Sequence, residues 1–202
     1  MKRIVFTLLL VAQAACSKSP PPTVRDGDLI FQMSRSSQSL AIQRATGSPY
    51  SHMGIVLMLE GKPFVFEAVA TVRYTPLDRW IARGSGGRYT VKRLRNASAL
   101  LTASALKKLH GDAHQFEGRP YDLTFEWSDD RIYCSELVWK LYDKALNIQI
   151  GELQRIKEFN LTDPVVQAKL RERYGTHIPQ EEPVISPVAM FNSSLLTTVA
   201  EK

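Results

Sequence analysis

Two side chains in this sequence carry the clearest chemistry, a cysteine and a histidine that lie 82 positions apart. Cys134 stands in IYCSELVWKLY, at the start of a run whose apolar residues Leu137, Val138, Leu141 and Leu146 recur at helical spacing. A helix N-terminus carries partial positive charge and unpaired N–H groups, so it favours a thiolate and offers donors to an oxyanion. Asp129 or Asp130 is placed to cap that start. A cysteine nucleophile also needs a base. Of the four histidines, His110 and His114 sit four apart on one helical face with no third metal ligand in view, and His177 falls in the C-terminal region. They read as solvated side chains. His52 instead opens the apolar run HMGIVLML, the pattern of a strand through a core. Cys134 and His52 therefore make the expected nucleophile–base pair.

A third group usually orients such a histidine. Glu60-Gly61 is a tight turn between the run from His52 and the returning strand PFVFEAV. If the turn has two residues, Leu59 pairs with Lys62 and Gly54 with Glu67. Opposite residues share a face, so Glu67 lies one diagonal step from His52, within reach of a long side chain. A carboxylate between Phe66 and Ala68 also needs a partner. Thr71 is the alternative if the turn is longer. Around this centre, Tyr121 and Asp122 are expected to line the substrate cleft, and Tyr50 and Tyr133, which flank the pair, to offer hydroxyls to the oxyanion.

The elements that must position these groups follow from the same patterns. Strands are predicted over 28–32, 52–59, 63–69 and 88–95. Helices are predicted over 36–45, 76–82, 98–116 and 133–146, with helical pieces over 153–159 and 164–174. From Pro179 the chain carries prolines at 179, 183 and 187 and reads as a wrapping or loose tail. The sequence has no internal repeat and no second domain.

The 202 residues, 44% hydrophobic and 23% charged, suffice for one globular domain. Its first residues read differently. Lys2 and Arg3 precede an apolar run over 4–12 and the small-x-small stretch Ala12-Gln13-Ala14, the pattern of a secretory signal over 1–15. The run is shorter than the roughly 20 residues of a membrane span. Residues 16–24 read as a linker and 25–202 as the mature domain. Cys16 raises lipoprotein anchoring as an alternative to soluble export to the periplasm, although Gln13 stands where such signals favour leucine. Loss of Lys2 and Arg3 lowers the net charge from +6 to +4. With no run of like charges and no basic–aromatic interleaving, nucleic acid is not an expected partner. Once Cys16 is removed or acylated, Cys134 is left as a lone thiol in an oxidising compartment, which marks it as a reactive group.

On the stretches GDLIFQMSRSSQSLAIQ, YSHMGIV, PFVFEAV, GRPYDLTFEWSDD and YCSELVWK the chain resembles the YiiX/YaeF family of permuted papain-like, NlpC-like hydrolases. The likeness covers nearly all of residues 25–198. His52 precedes Cys134, the circularly permuted order shared with lecithin:retinol acyltransferase-like proteins. The resemblance implies an α+β papain-like core with an antiparallel sheet packed on the helix bearing Cys134. It implies Cys134 and His52 as the catalytic pair with Glu67 as third member, and neither metal nor organic cofactor. The expected substrate is an envelope amide or peptide, such as a peptidoglycan stem peptide. A lipid or lipid-amide substrate is the alternative, and a non-catalytic binding module the third reading. A hydrophobic acyl groove would favour the lipid; a small polar pocket for a free amine or carboxylate would favour the peptide.

Overall fold

The computed structural model describes residues 23–202. The predicted signal and Cys16 lie outside the described residues. A six-stranded antiparallel sheet runs in the order β4-β3-β2-β1-β5-β8. Its strands are β1 (Leu29–Gln32), β2 (His52–Leu59), β3 (Lys62–Ala68), β4 (Val72–Pro76), β5 (Thr90–Leu94) and β8 (Leu196–Glu201). A two-stranded ribbon pairs β6 (Gln154–Arg155) with β7 (Pro183–Val184). The helices are α1 (Ser37–Thr46), α2 (Leu77–Arg83), α3 (Ala97–Leu100), α4 (Ala103–Phe116), α5 (Cys134–Leu146), α6 (Pro164–Tyr174) and α7 (Pro187–Phe191).

The hairpin that the site depends on has the predicted register. Leu59 pairs with Lys62 and Ile55 with Phe66. Glu60 and Gly61 both take positive φ, 50° and 76°, as a two-residue turn matched to strand twist requires. Alternation along β2 then sends Met53, Ile55 and Leu57 to one face of the sheet and Val56 to the other. On the first face they meet Leu137, Val138 and Leu141 of α5. Each such side chain, fully buried, contributes roughly 1.5–3 kcal/mol. On the second face Val56 and Val65 meet Leu77 and Trp80 of α2. With both faces covered, β2 has no solvent side, which explains its unbroken apolar sequence.

Four expectations are corrected. The helix expected over 98–116 is broken, because α3 stops at Leu100 and the Thr102 hydroxyl accepts from Ala105 N to start α4. Residues 153–159 form strand β6 and a 3-10 turn, since Ile156 and Lys157 N–H groups bond to Glu182 and Gln180 carbonyls far along the chain. The tail is ordered: α7 packs under Tyr50 and β8 becomes an edge strand beside β5. Asp129 and Asp130 do not cap α5. Its N-cap residue is Tyr133, whose N–H donates to Glu136 at 3.2 Å, while Asp129 pairs with Lys140 at 2.9 Å.

Candidate active site

Cys134 is the first residue of α5 and is 2% exposed. His52 is the first residue of β2 and is 7% exposed. By register the histidine belongs to the α2 face of the sheet and the cysteine to the α5 face. They meet because each begins its element at the same end of the sheet. His52 Nε2 lies 2.6 Å from Glu67 Oε2, and Cys134 is close enough to act on the same ring. Burial works against a charged imidazole, but the bonds and charges of Cys134 and Glu67 outweigh it and raise the His52 pKa from 6.5 to about 9. Burial likewise works against the Glu67 carboxylate, yet bonds from His52 and Arg83 hold it down at about 2. The arrangement suits an imidazolium held between a carboxylate and a sulfur through neutral pH.

Glu67 is fully buried and every one of its contacts is a donor. Thr75 Oγ1 donates to Oε1 at 2.7 Å. Trp80 Nε1 at 2.9 Å and Arg83 Nη2 at 2.5 Å donate to Oε2. The Trp80 ring also stacks beside His52, with centroids 5.9 Å apart. Sequence reasoning found Glu67 but missed this cradle. A partial signal was present: a buried carboxylate needs several donors, and Trp80 lies on the predicted helix, although Arg83 falls one residue past its predicted end while in the structure it is the last residue of α2, three after Trp80 and on the same face. Thr71 is exposed and bridges Pro120, with no bond to His52.

An apolar cavity of about 120 Å³ opens beside the nucleophile. Cys134, Ser135, Tyr121 and Tyr133 form one wall. Ala41 and Ile42 of α1, Leu170 of α6, and Phe159, Leu161 and Ile185 form the rest, with Lys169 and Arg173 as its cations. Tyr121 Oη accepts from Gln38 Nε2 at 2.8 Å, leaving its own proton free. Tyr133 Oη accepts from Ile185 N at 3.0 Å. Asp122 is buried behind this wall, with Oδ1 accepting from Thr124 N and Oγ1. Tyr50 is not in the wall; its ring stacks on Phe191 and its hydroxyl bonds Thr90 Oγ1 at 2.9 Å. His110 pairs with Asp26 and His114 with Glu117, while His177 is exposed.

A sheet flanked by a helix that starts at the cysteine, with the histidine earlier in the chain, defines a circularly permuted papain-like cysteine hydrolase. The family model described as permuted papain-like amidase enzyme, YaeF/YiiX, C92 family, matches residues 23–200, and the chain belongs to that family. It is 50% identical over 200 residues to the uncharacterized protein YiiX of Escherichia coli (strain K12), covering 99% of this chain and 96% of the relative. The crystal structure of metalloprotein yiiX from Escherichia coli O157:H7 superposes with a TM-score of 0.85 at 54% identity, covering 90% of this chain and 98% of that one. That description as a metalloprotein belongs to the relative. Among the described residues here no three His, Cys, Asp or Glu side chains converge as metal ligands, so no step is assigned to a metal. Among them, too, no helix is long and apolar enough to cross a membrane.

Proposed function

We propose that the protein is a cell-envelope cysteine amidase whose substrate presents an apolar acyl chain to Cys134. The Cys134 thiolate attacks the amide carbonyl carbon and forms the C–S bond. The C–N bond then breaks as the His52 imidazolium gives its proton to the leaving amine. His52, now neutral, takes a proton from water as the water attacks the thioester. The carboxylic acid leaves, and thiolate and imidazolium are restored. Glu67 fixes the ring and stabilises its charge through both half-reactions.

The observation that carries this reading is the apolar cavity with Cys134 in its wall. Its lining suits a hydrocarbon better than a charged stem peptide. This favours a lipid-amide over the peptidoglycan-type peptide. An acyl ester, or transfer to an acceptor other than water, would use the same centre and is the second reading. The envelope location rests on residues 1–15 and on either soluble export or acylation of Cys16.

The test is incubation of wild type and Cys134→Ala with envelope extract and with octanoyl, tetradecanoyl and acetyl amides of one amine, read by mass spectrometry. Faster release from the longer amides, absent in Cys134→Ala, supports the proposal. Release of stem peptides with no preference for acyl length sinks it. Fractionation that finds uncleaved chain in the cytosol sinks the location.

A further inference from the structure

Two cations share one oxygen in this site. His52 Nε2 and Arg83 Nη2 both point to Glu67 Oε2, at 2.6 and 2.5 Å. The position of Arg83 is built rather than incidental. It is the last residue of α2, and the chain beyond it is pinned to the end of β1: Ser85 N donates to Met33 O at 2.9 Å and Arg35 Nη2 to Gly84 O at 3.1 Å. Gly84 passes so close to β1 that a Cβ there would collide with Gln32 Oε1. Gln32 is the β1 residue paired with His52. The end of α2 is thus held against the catalytic strand pair, and the guanidinium is delivered to a carboxylate that is otherwise fully buried, while 37% of its own side chain stays exposed.

We propose that Arg83 is a positioning residue that sets how strongly Glu67 holds the His52 imidazolium. The inference rests on Glu67 being the third member of the proposed triad. The field of Glu67 attracts the imidazolium, and a second cation on the same oxygen repels it, which offsets part of that attraction. The charged groups that face His52 are Cys134 on α5 and Glu67 on β3, and Arg83 acts on it from α2 through Glu67. The device matters because His52 must give its proton to a leaving amine and then act as a base toward water. An imidazolium held by Glu67 without that repulsion would be slow to give its proton to the amine. Arg83 therefore trades some grip for turnover while keeping Glu67 ionised.

The prediction is read without any substrate. Protein labelled at histidine ring nitrogens is titrated by NMR, with His52 assigned by its loss in His52→Ala. Arg83→Met is expected to move the His52 midpoint up by about half a pH unit or more, and Arg83→Lys to bring it back toward wild type. A role confined to holding the fold would move stability and leave the midpoint in place. An unchanged midpoint in folded Arg83→Met overturns the inference. If that variant does not fold, Arg83→Gln, which keeps a donor and removes the charge, decides in the same way. Glu67→Gln is run beside them. A His52 midpoint that falls there but is unmoved in Arg83→Met defeats this inference alone; one indifferent to Glu67→Gln defeats the triad itself.

Discussion

His52 and Glu67 are bonded at 2.6 Å across a diagonal of the β2–β3 hairpin, which leaves the other ring nitrogen of the histidine uncommitted. The diagonal exists because the Glu60-Gly61 turn holds the register that pairs Leu59 with Lys62. A turn one residue longer would send Glu67 to the opposite face. Glu67→Gln keeps the shape but removes the charge that steadies the imidazolium. It is expected to lower kcat by roughly 100-fold with an unchanged circular dichroism spectrum. Thr71→Ala, at an exposed bridge to Pro120, is expected to turn over like wild type. The reverse pattern would move the third role to Thr71.

Gly54 gives a second prediction on the same hairpin. A Cβ there would run into Val65 Cγ1 and lie 2.8 Å from the Phe66 carbonyl oxygen. Gly54→Ala must push β3 away from β2 and so separate Glu67 from His52. The expected cost is about 1–3 kcal/mol in urea unfolding, together with a loss of activity in the protein that remains folded. A variant as stable and as active as wild type would refute the close packing.

The site was legible where the chemistry is local. Cys134 at a helix start, His52 at a strand start and Glu67 across a two-residue turn all follow from short stretches of sequence and simple register arithmetic. What sequence did not give depends on distant partners. Strand β8 is held by β5, about a hundred positions earlier, and its Leu-Thr-Thr-Val-Ala pattern has no strong alternation of its own. Strand β6 is two residues long and exists only because β7 lies beside it. The break at Thr102 was readable, since threonine before Ala103 is a common cap, but leucines on either side hid it. The cavity is assembled from α1, α5, α6 and the segment around Ile185, so no stretch of sequence announces it.

Glu136 is expected to cost stability at neutral pH. It is fully buried two positions after Cys134, and burial raises its pKa from 4.5 to about 7 despite Lys140 at 2.8 Å and the Tyr133 N–H. A raised acid binds more protons folded than unfolded, so stability falls as pH climbs from about 4.5 through 7. Glu136→Gln keeps an acceptor for Tyr133 N–H and removes the titration. The variant should gain on wild type across that window, by on the order of 3 kcal/mol, as read by urea unfolding at stepped pH. A difference between the two that does not change with pH would count against it.

Tyr121 is expected to act on the tetrahedral intermediate. Its oxygen is engaged by Gln38, its proton is unclaimed, and it shares the cavity wall with Cys134. Tyr121→Phe removes one donor and should lower kcat by about 10- to 100-fold while leaving KM for an acyl amide within a few-fold. A rise in KM alone would make the hydroxyl a binding group instead.

The last prediction concerns Cys134 and needs no substrate. With its pKa raised to about 9, His52 is an imidazolium at pH 6, and Cys134 is among the groups near enough to raise it. A free thiol, with a reference value of about 8.5, is almost wholly protonated at that pH and reacts slowly with iodoacetamide. Cys134 should react much faster there, because only the thiolate is nucleophilic and the adjacent cation favours it. His52→Ala removes the cation and should slow alkylation at pH 6, with the gap narrowing at pH 9, where a thiol ionises unaided. Cys134 is buried against an apolar cavity, so the reagent itself is informative. An iodoacetamide bearing an octyl chain on nitrogen should outpace the parent compound on the protein, though not on free cysteine. Slow labelling of folded wild type by both reagents, unchanged in His52→Ala, would mean that the sulfur and the imidazole are not coupled. Equal rates for the two reagents, with the His52 dependence intact, would leave the nucleophile in place and remove the acyl chain from the cavity.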